Sequence, residues 1–212
     1  MNSALHIELP PFLVQANNQS QTLVTPQERM SYVLDLVRAN IATEGGPFAA
    51  AVFERDSGLL ISAGANRVVP SHCSSAHAEV LALSLAQAKL GTHDLGEDGM
   101  PIYELVTSAE PCVMCFGAVI WSGVRSLVCA ARSDDVEAIG FDEGPRPDNW
   151  IEELEARGIS VTTSLLRDTA RELLNHYCAC DGRIYNARCG IASEDPGHTC
   201  FPANHPGSKP HP

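Results

Sequence analysis

Cys112 and Cys115 stand three residues apart in Pro111-Cys112-Val113-Met114-Cys115, and His77 stands two residues before Glu79 in Ala76-His77-Ala78-Glu79-Val80. Pro111 suits the first position of a helix, where its missing N–H costs nothing, so both thiols are expected in the first turns on one face. The positive end of the helix dipole there favours the thiolate, the form that binds metal. A second helix is expected from about Ala76, which makes His77 the nearest strong ligand upstream. One imidazole and two sulfurs give three protein ligands, the count of a catalytic zinc site whose fourth position is open to water. Such a water has its pKa lowered from about 16 to about 7. A reaction that expels an amine also needs a group to take the water's proton and hand it to the substrate's nitrogens, and Glu79 is a group of that kind. A capping-box role for Glu79 would require Ser or Thr at position 76, which is Ala.

Two helix starts must carry these residues, and the remaining pattern supplies a sheet to support them. Phe48–Glu54 and Leu59–Ala63 read as strands joined by the turn Arg55-Asp56-Ser57-Gly58. Ala76–Leu90 and Pro111–Ser122 are apolar nearly all round, as in helices buried against a sheet. Further strands are expected at Leu105–Ser108, Ser126–Ala131 and Ile159–Leu165, and further helices from Pro26 to near Gly45-Gly46, at about Asn149–Arg157 and at Arg167–Cys178. Strand, helix, strand implies a right-handed crossover and parallel pairing. The expected architecture is a three-layer α/β/α domain with a mixed five-stranded sheet, its metal-bearing helix starts near the carboxyl ends of strands. Residues 1–25 are expected to be an irregular extension, 26–188 the domain, and 189–212 a disordered tail rich in Gly, Pro, His and Ser.

The 212 residues carry 14 Lys+Arg against 26 Asp+Glu, a formal charge of -12, which leaves little from which to build a phosphate-binding face. A small-molecule substrate is therefore favoured over nucleic acid. No signal-peptide core and no membrane-spanning run is visible. Eight cysteines without a signal peptide read as metal ligands and reduced thiols in the cytoplasm. Cys129 reads as a core residue, and Met114 and Phe116 as packing. His72 or Cys73 could add a fourth ligand and close the site. A second site from Cys178, Cys180, Cys189, Cys200 and His198 has no compact spacing to support it.

His77-Ala78-Glu79 with Pro111-Cys112-Val113-Met114-Cys115 is the H-x-E, P-C-x-x-C pattern of zinc-dependent base deaminases. With Gly45-Gly46-Pro47-Phe48, Asn66, Gly117-Ala118-Val119-Ile120-Trp121 and Gly140-Phe141-Asp142-Glu143, the chain resembles the bacterial guanine deaminases of the cytidine deaminase superfamily over about residues 26–188. The resemblance implies a cytidine deaminase-like fold and one Zn2+ per chain on His77, Cys112 and Cys115, with Glu79 as proton shuttle. It implies that Asn66 hydrogen-bonds the purine, that Phe48, Ala78, Trp121 and Phe141 line the pocket, and that Asp142 and Glu143 bring a second acid, Glu143 being favoured because adjacent loop residues point apart. It also implies a homodimer in which the segment from about Tyr177 to Arg188 crosses to the other subunit, with Tyr185 in that subunit's pocket. Guanine and water would be the substrates, in purine catabolism. The alternatives are a deaminase of tRNA adenosine or of another nucleobase or nucleoside, and a non-catalytic zinc protein in which Glu79 is dispensable.

Overall fold

The computed structural model describes residues 6–186. The tail at 189–212, with Cys189, His198 and Cys200, lies outside the described residues. In chain order the elements are α1 (Pro11–Asn18), α2 (Pro26–Ile41), β1 (Ala49–Glu54), β2 (Leu60–Ala65), α3 (Val68–Ser71), α4 (Ala78–Leu90), β3 (Tyr103–Ala109), α5 (Val113–Ser122), β4 (Ser126–Ala131), α6 (Ser133–Glu137), α7 (Trp150–Glu155), β5 (Ser160–Thr162) and α8 (Arg167–Ala179).

The sheet runs β2-β1-β3-β4-β5, with β1 antiparallel to β2 and β3, and β3, β4 and β5 parallel. Strand side chains alternate between two cores because successive Cβ atoms point to opposite faces. Ala49, Ala51 and Phe53 pack with α1, α2 and α8, whereas Ala50 and Val52 pack with α4, α5 and α7. Helices thus cover both faces, which explains why β2, β3 and β4 are buried along their whole length and read as apolar runs. This is the expected three-layer α/β/α fold with a mixed five-stranded sheet. Cys129 lies in the second core, as expected.

Three expectations are corrected. Residues 6–25, the described part of the expected extension, are not irregular throughout: α1 starts at Pro11, buries Leu13 completely, and is followed by a bridge from Thr22 to Leu59. Pro11 stands at the first helical position, where a proline favours a helix start. Asn17 donates to the Ala63 carbonyl at 2.9 Å and accepts from its N–H at 2.9 Å, so α1 caps the outer edge of β2. Second, both site helices begin two residues later than expected, which puts His77 and Cys112 at the N-cap with extended backbone. Third, β5 is only three residues long, because Ser164 and Leu166 adopt left-handed conformations and turn the chain into α8.

Candidate active site

The register of the sheet brings four loops to one edge. Ala65 pairs with Ala49 and Ala50 pairs with Thr107, so the ends of β2, β3 and β4 and the start of β1 lie side by side. His77, at the start of α4, and Cys112 and Cys115, in the first turn of α5, meet there. A residue at the N-cap and one three positions on share a helix face, so the two sulfurs still converge although Pro111 precedes the cap. His77 Nδ1 lies 3.6 Å from Cys112 Sγ and 3.5 Å from Cys115 Sγ. A tetrahedral zinc with Zn–S of about 2.3 Å and Zn–N of about 2.0–2.1 Å requires an N···S separation of about 3.5 Å. The three ligand atoms, all within 4.8 Å of one another, therefore fit zinc without rearrangement. Neither His72 nor Cys73 joins this group, and the Cys73 thiol is instead paired with Ser75 Oγ at 3.3 Å.

Electrostatics follow from the same packing. Cys112 shares a hydrogen bond with Cys115, which holds the Cys112 thiol down to about 4 against the cost of burial, and pushes Cys115 up. Burial acts to lower His77, but the hydrogen bond to Cys112 and the charge of Glu79 outweigh it and raise the imidazole overall. Burial, and next the Cys112 sulfur, raise Glu79. The pocket holds more anionic candidates than it can ionise alone, a donor set whose charge a dication neutralises.

Above these groups lies a cavity of about 300 Å³, lined among others by Phe48, Asn66, Glu79, Phe141, Glu143 and Tyr185. Phe141 packs edge-on against Phe48 at 5.1 Å and against Tyr185 at 5.0 Å. Asn66 is 1% exposed, and its Oδ1 accepts from the Val68 N–H at 3.2 Å, which leaves its amide NH2 to face the cavity. Asn40 donates to the carbonyls of Gly46 at 2.8 Å and Asn66 at 2.9 Å, and Arg67 donates to Asn40 Oδ1 at 3.0 Å. The buried Tyr185 hydroxyl has no hydrogen-bond partner among the described residues and lies over Gly46, where a Cβ would approach it to 2.5 Å. Burial raises this phenol well above its ordinary range, so it is neutral. Asp142 is exposed and its Oδ1 accepts from the Gly144 N–H at 2.8 Å, whereas Glu143 is half-buried and faces the cavity. Burial first, then the Cys112 and Glu79 charges, raise Glu143 to about 8.

Most of the expected residues thus meet in one place: His77, Cys112, Cys115, Glu79, Asn66, Phe48, Phe141, Asp142, Glu143 and Tyr185. Two do not line the cavity. Trp121 is 83% exposed on the outside of α5, and Ala78 is fully buried in the second core. Met114, expected as packing, instead borders the cavity. The described part of the C-terminal segment, through Asn186, lies over its own chain's cavity, with Tyr185 in the lining. Asn186 fastens it there, donating to the Gly140 carbonyl at 2.8 Å and accepting from the Asp142 N–H at 3.0 Å. Asn40, Arg67, Glu110, Arg146 and Asn186 were not singled out in the sequence. Only Glu110, beside Pro111, sat within a motif.

Residues 24–131 match the family of cytidine and deoxycytidylate deaminase zinc-binding regions. The solved guanine deaminase from Nitrosomonas europaea is 78% identical with a TM-score of 0.84, over 85% of this chain and 99% of that one. A second solved structure, in complex with 2,6-diaminopurine, is 79% identical with a TM-score of 0.84, over 89% of this chain and all of that one. The guanine deaminase of Bacillus subtilis is 39% identical over 99 residues, which span 47% of this chain and 59% of the Bacillus enzyme. With zinc ligands, carboxylate and fold in agreement, the chain belongs to the zinc-dependent cytidine and deoxycytidylate deaminase family, in the group that includes the guanine deaminases.

Proposed function

We propose that the protein hydrolyses guanine to xanthine and ammonia, as a step of purine breakdown. The observation that carries the reading is a three-ligand zinc group with a buried carboxylate beside it, under a cavity walled by two phenylalanines. His77, Cys112 and Cys115 would hold zinc, which would supply a water acidified to a pKa of about 7. Glu79 takes that water's proton on its carboxylate and delivers it to the ring nitrogen beside the carbon that loses its amine. Glu143, with its carboxyl raised to about 8, is protonated at neutral pH and can give a proton to the departing amine. The Asn66 amide donates to an acceptor on the base edge, and Phe48 and Phe141 exclude water from the ring faces. The solved relatives support the reading, since one contains 2,6-diaminopurine and another 8-azaguanine.

The test is ammonia release from guanine, adenine, cytosine, cytidine and tRNA by the zinc-loaded protein. A site that pairs its buried donors with guanine should favour it over a base lacking those groups by roughly 10⁴. Activity confined to cytidine or to tRNA contradicts the reading.

The outer face of α5 presents Val113, Met114 and Trp121, 38%, 36% and 83% exposed. We place a second copy of the chain on this face, giving a homodimer, because several exposed apolar side chains on one short helix make a patch of the kind that marks a protein–protein contact. Trp121→Glu should shift sedimentation toward the monomer, and an unchanged sedimentation coefficient contradicts the assignment. No described helix is long and apolar enough to cross a membrane. The six described cysteines are free thiols, which supports a reducing compartment such as the cytoplasm.

A further inference from the structure

The loop that carries Glu143 is fastened to the metal-ligand turn by one side chain, Arg146. Its Nη1 donates to the carbonyl of Pro111, the residue before the ligand Cys112, at 2.6 Å. Its Nη2 donates to Ser133 Oγ at 2.7 Å and to Glu110 Oε2 at 3.2 Å, and the guanidinium lies 4.3 Å from the centroid of the Trp150 ring. Both charges of the Arg146–Glu110 pair are about nine-tenths withdrawn from water, with side-chain exposures of 11% and 10%. The Ser133 N–H also donates to the Glu110 carboxylate at 3.2 Å, so the start of α6 joins the same knot. Three residues before Arg146, the Glu143 carbonyl accepts from the Val113 N–H at 2.9 Å and satisfies a free donor in the first turn of α5. Gly144, with φ of 71°, passes so close to α5 that a Cβ would lie 2.6 Å from Val113 Cγ1.

We propose that Arg146 is a positioning residue that holds Glu143 in register over the metal site by tying its loop to the Glu110-Pro111 turn. The inference rests on the reading of Glu143 as the second acid. Between β4 and α7 the loop has no regular structure of its own from residue 140 to 149, so its placement comes from what it is tied to. Asn186 and the Val113 N–H hold it near its start, and Arg146 holds its far side. A planar fork suits three oxygen acceptors and an aromatic face at once. A lysine has one compact ammonium and serves only part of that set.

The experiment is a double-mutant cycle on the zinc-loaded enzyme with guanine: wild type, Arg146→Lys, Glu143→Gln and the double variant, each with its zinc content. A misplaced acid should lower kcat about tenfold or more in Arg146→Lys while KM stays within about twofold. Zinc should stay at the wild-type level, and in the Glu143→Gln background the same change should lower kcat less than about twofold further. Losses that multiply in the double variant, or zinc lost from Arg146→Lys, overturn the inference, because Arg146 then acts through the metal turn or the fold. Wild-type kcat in Glu143→Gln removes the second-acid reading itself, a different outcome from multiplying losses. If Arg146→Lys does not fold, Ser133→Ala removes one tether and leaves the charge pair. Its kcat loss should likewise vanish in the Glu143→Gln background, and persistence of that loss overturns the inference.

Discussion

Glu79 and Glu143 both face the cavity, and in the proposed reaction their surroundings divide the acid and base roles between them. Glu79 lies beside the zinc ligands, where a bound dication opposes the effect of burial and favours its ionised form. Glu143, raised to about 8 chiefly by burial, stays protonated through neutral pH. A proton donor is useful only while it holds its proton, so kcat should fall as pH rises through about 8. Glu143→Gln should have a lower kcat and no such limb, as read from initial rates between pH 6 and pH 9.5. A limb that survives unchanged in the variant contradicts the assignment. Asn40 works beneath the site, pairing the carbonyls of Gly46 and Asn66. Asn40→Ala takes one of two donors from each of these carbonyls, which keep the Phe48 and Gly46 N–H groups, and removes an acceptor of Arg67; it should cost about 1–3 kcal/mol, seen as a lower denaturant midpoint.

The elements show why some of this was legible in the sequence and some was not. The His-x-Glu and Cys-x-x-Cys spacings are local, and local spacing survives a two-residue error in a helix start: the metal group converges although Pro111 lies before the cap of α5. Apolar runs bounded by turn residues located β1 to β4 because burial on both sides leaves that pattern. The missed features depend on contacts between distant positions. Helix α1 has eight residues and forms because Leu13 and Ala16 pack into the first core and Asn17 satisfies Ala63, none of which shows in a stretch too short for a clear helical period. Arg146 and Asn186 likewise matter through contacts that no local spacing shows, among them the Pro111 carbonyl 35 positions from Arg146 and the Gly140 carbonyl 46 positions from Asn186. Leu13→Ala should therefore cost about 2–5 kcal/mol in a urea titration, as expected for a fully buried leucine. A change near zero would return residues 1–25 to the status of an appendage.

At the scale of the whole molecule, the chemistry occupies one edge of the sheet and much of the polar stabilisation lies at the other. Arg29 pairs with Glu104 at 2.8 Å, with side chains 3% and 6% exposed, and also donates to the carbonyls of Leu23, Val24 and Arg55. Ser126 adds a hydrogen bond to Glu104 at 2.7 Å, which ties α2, β3 and β4 together away from the zinc ligands. Arg29→Met strands a buried carboxylate and should cost about 3–5 kcal/mol in denaturant, while the folded protein keeps its zinc and its kcat. Such separation lets the reaction be removed without disturbing metal or fold, and Glu79→Gln does this most directly. Zinc content and ammonia release from guanine, measured on one sample of that variant, should show about one zinc per chain and a turnover lowered at least 10²–10⁴-fold. Turnover close to wild type in a zinc-loaded Glu79→Gln protein would contradict the account.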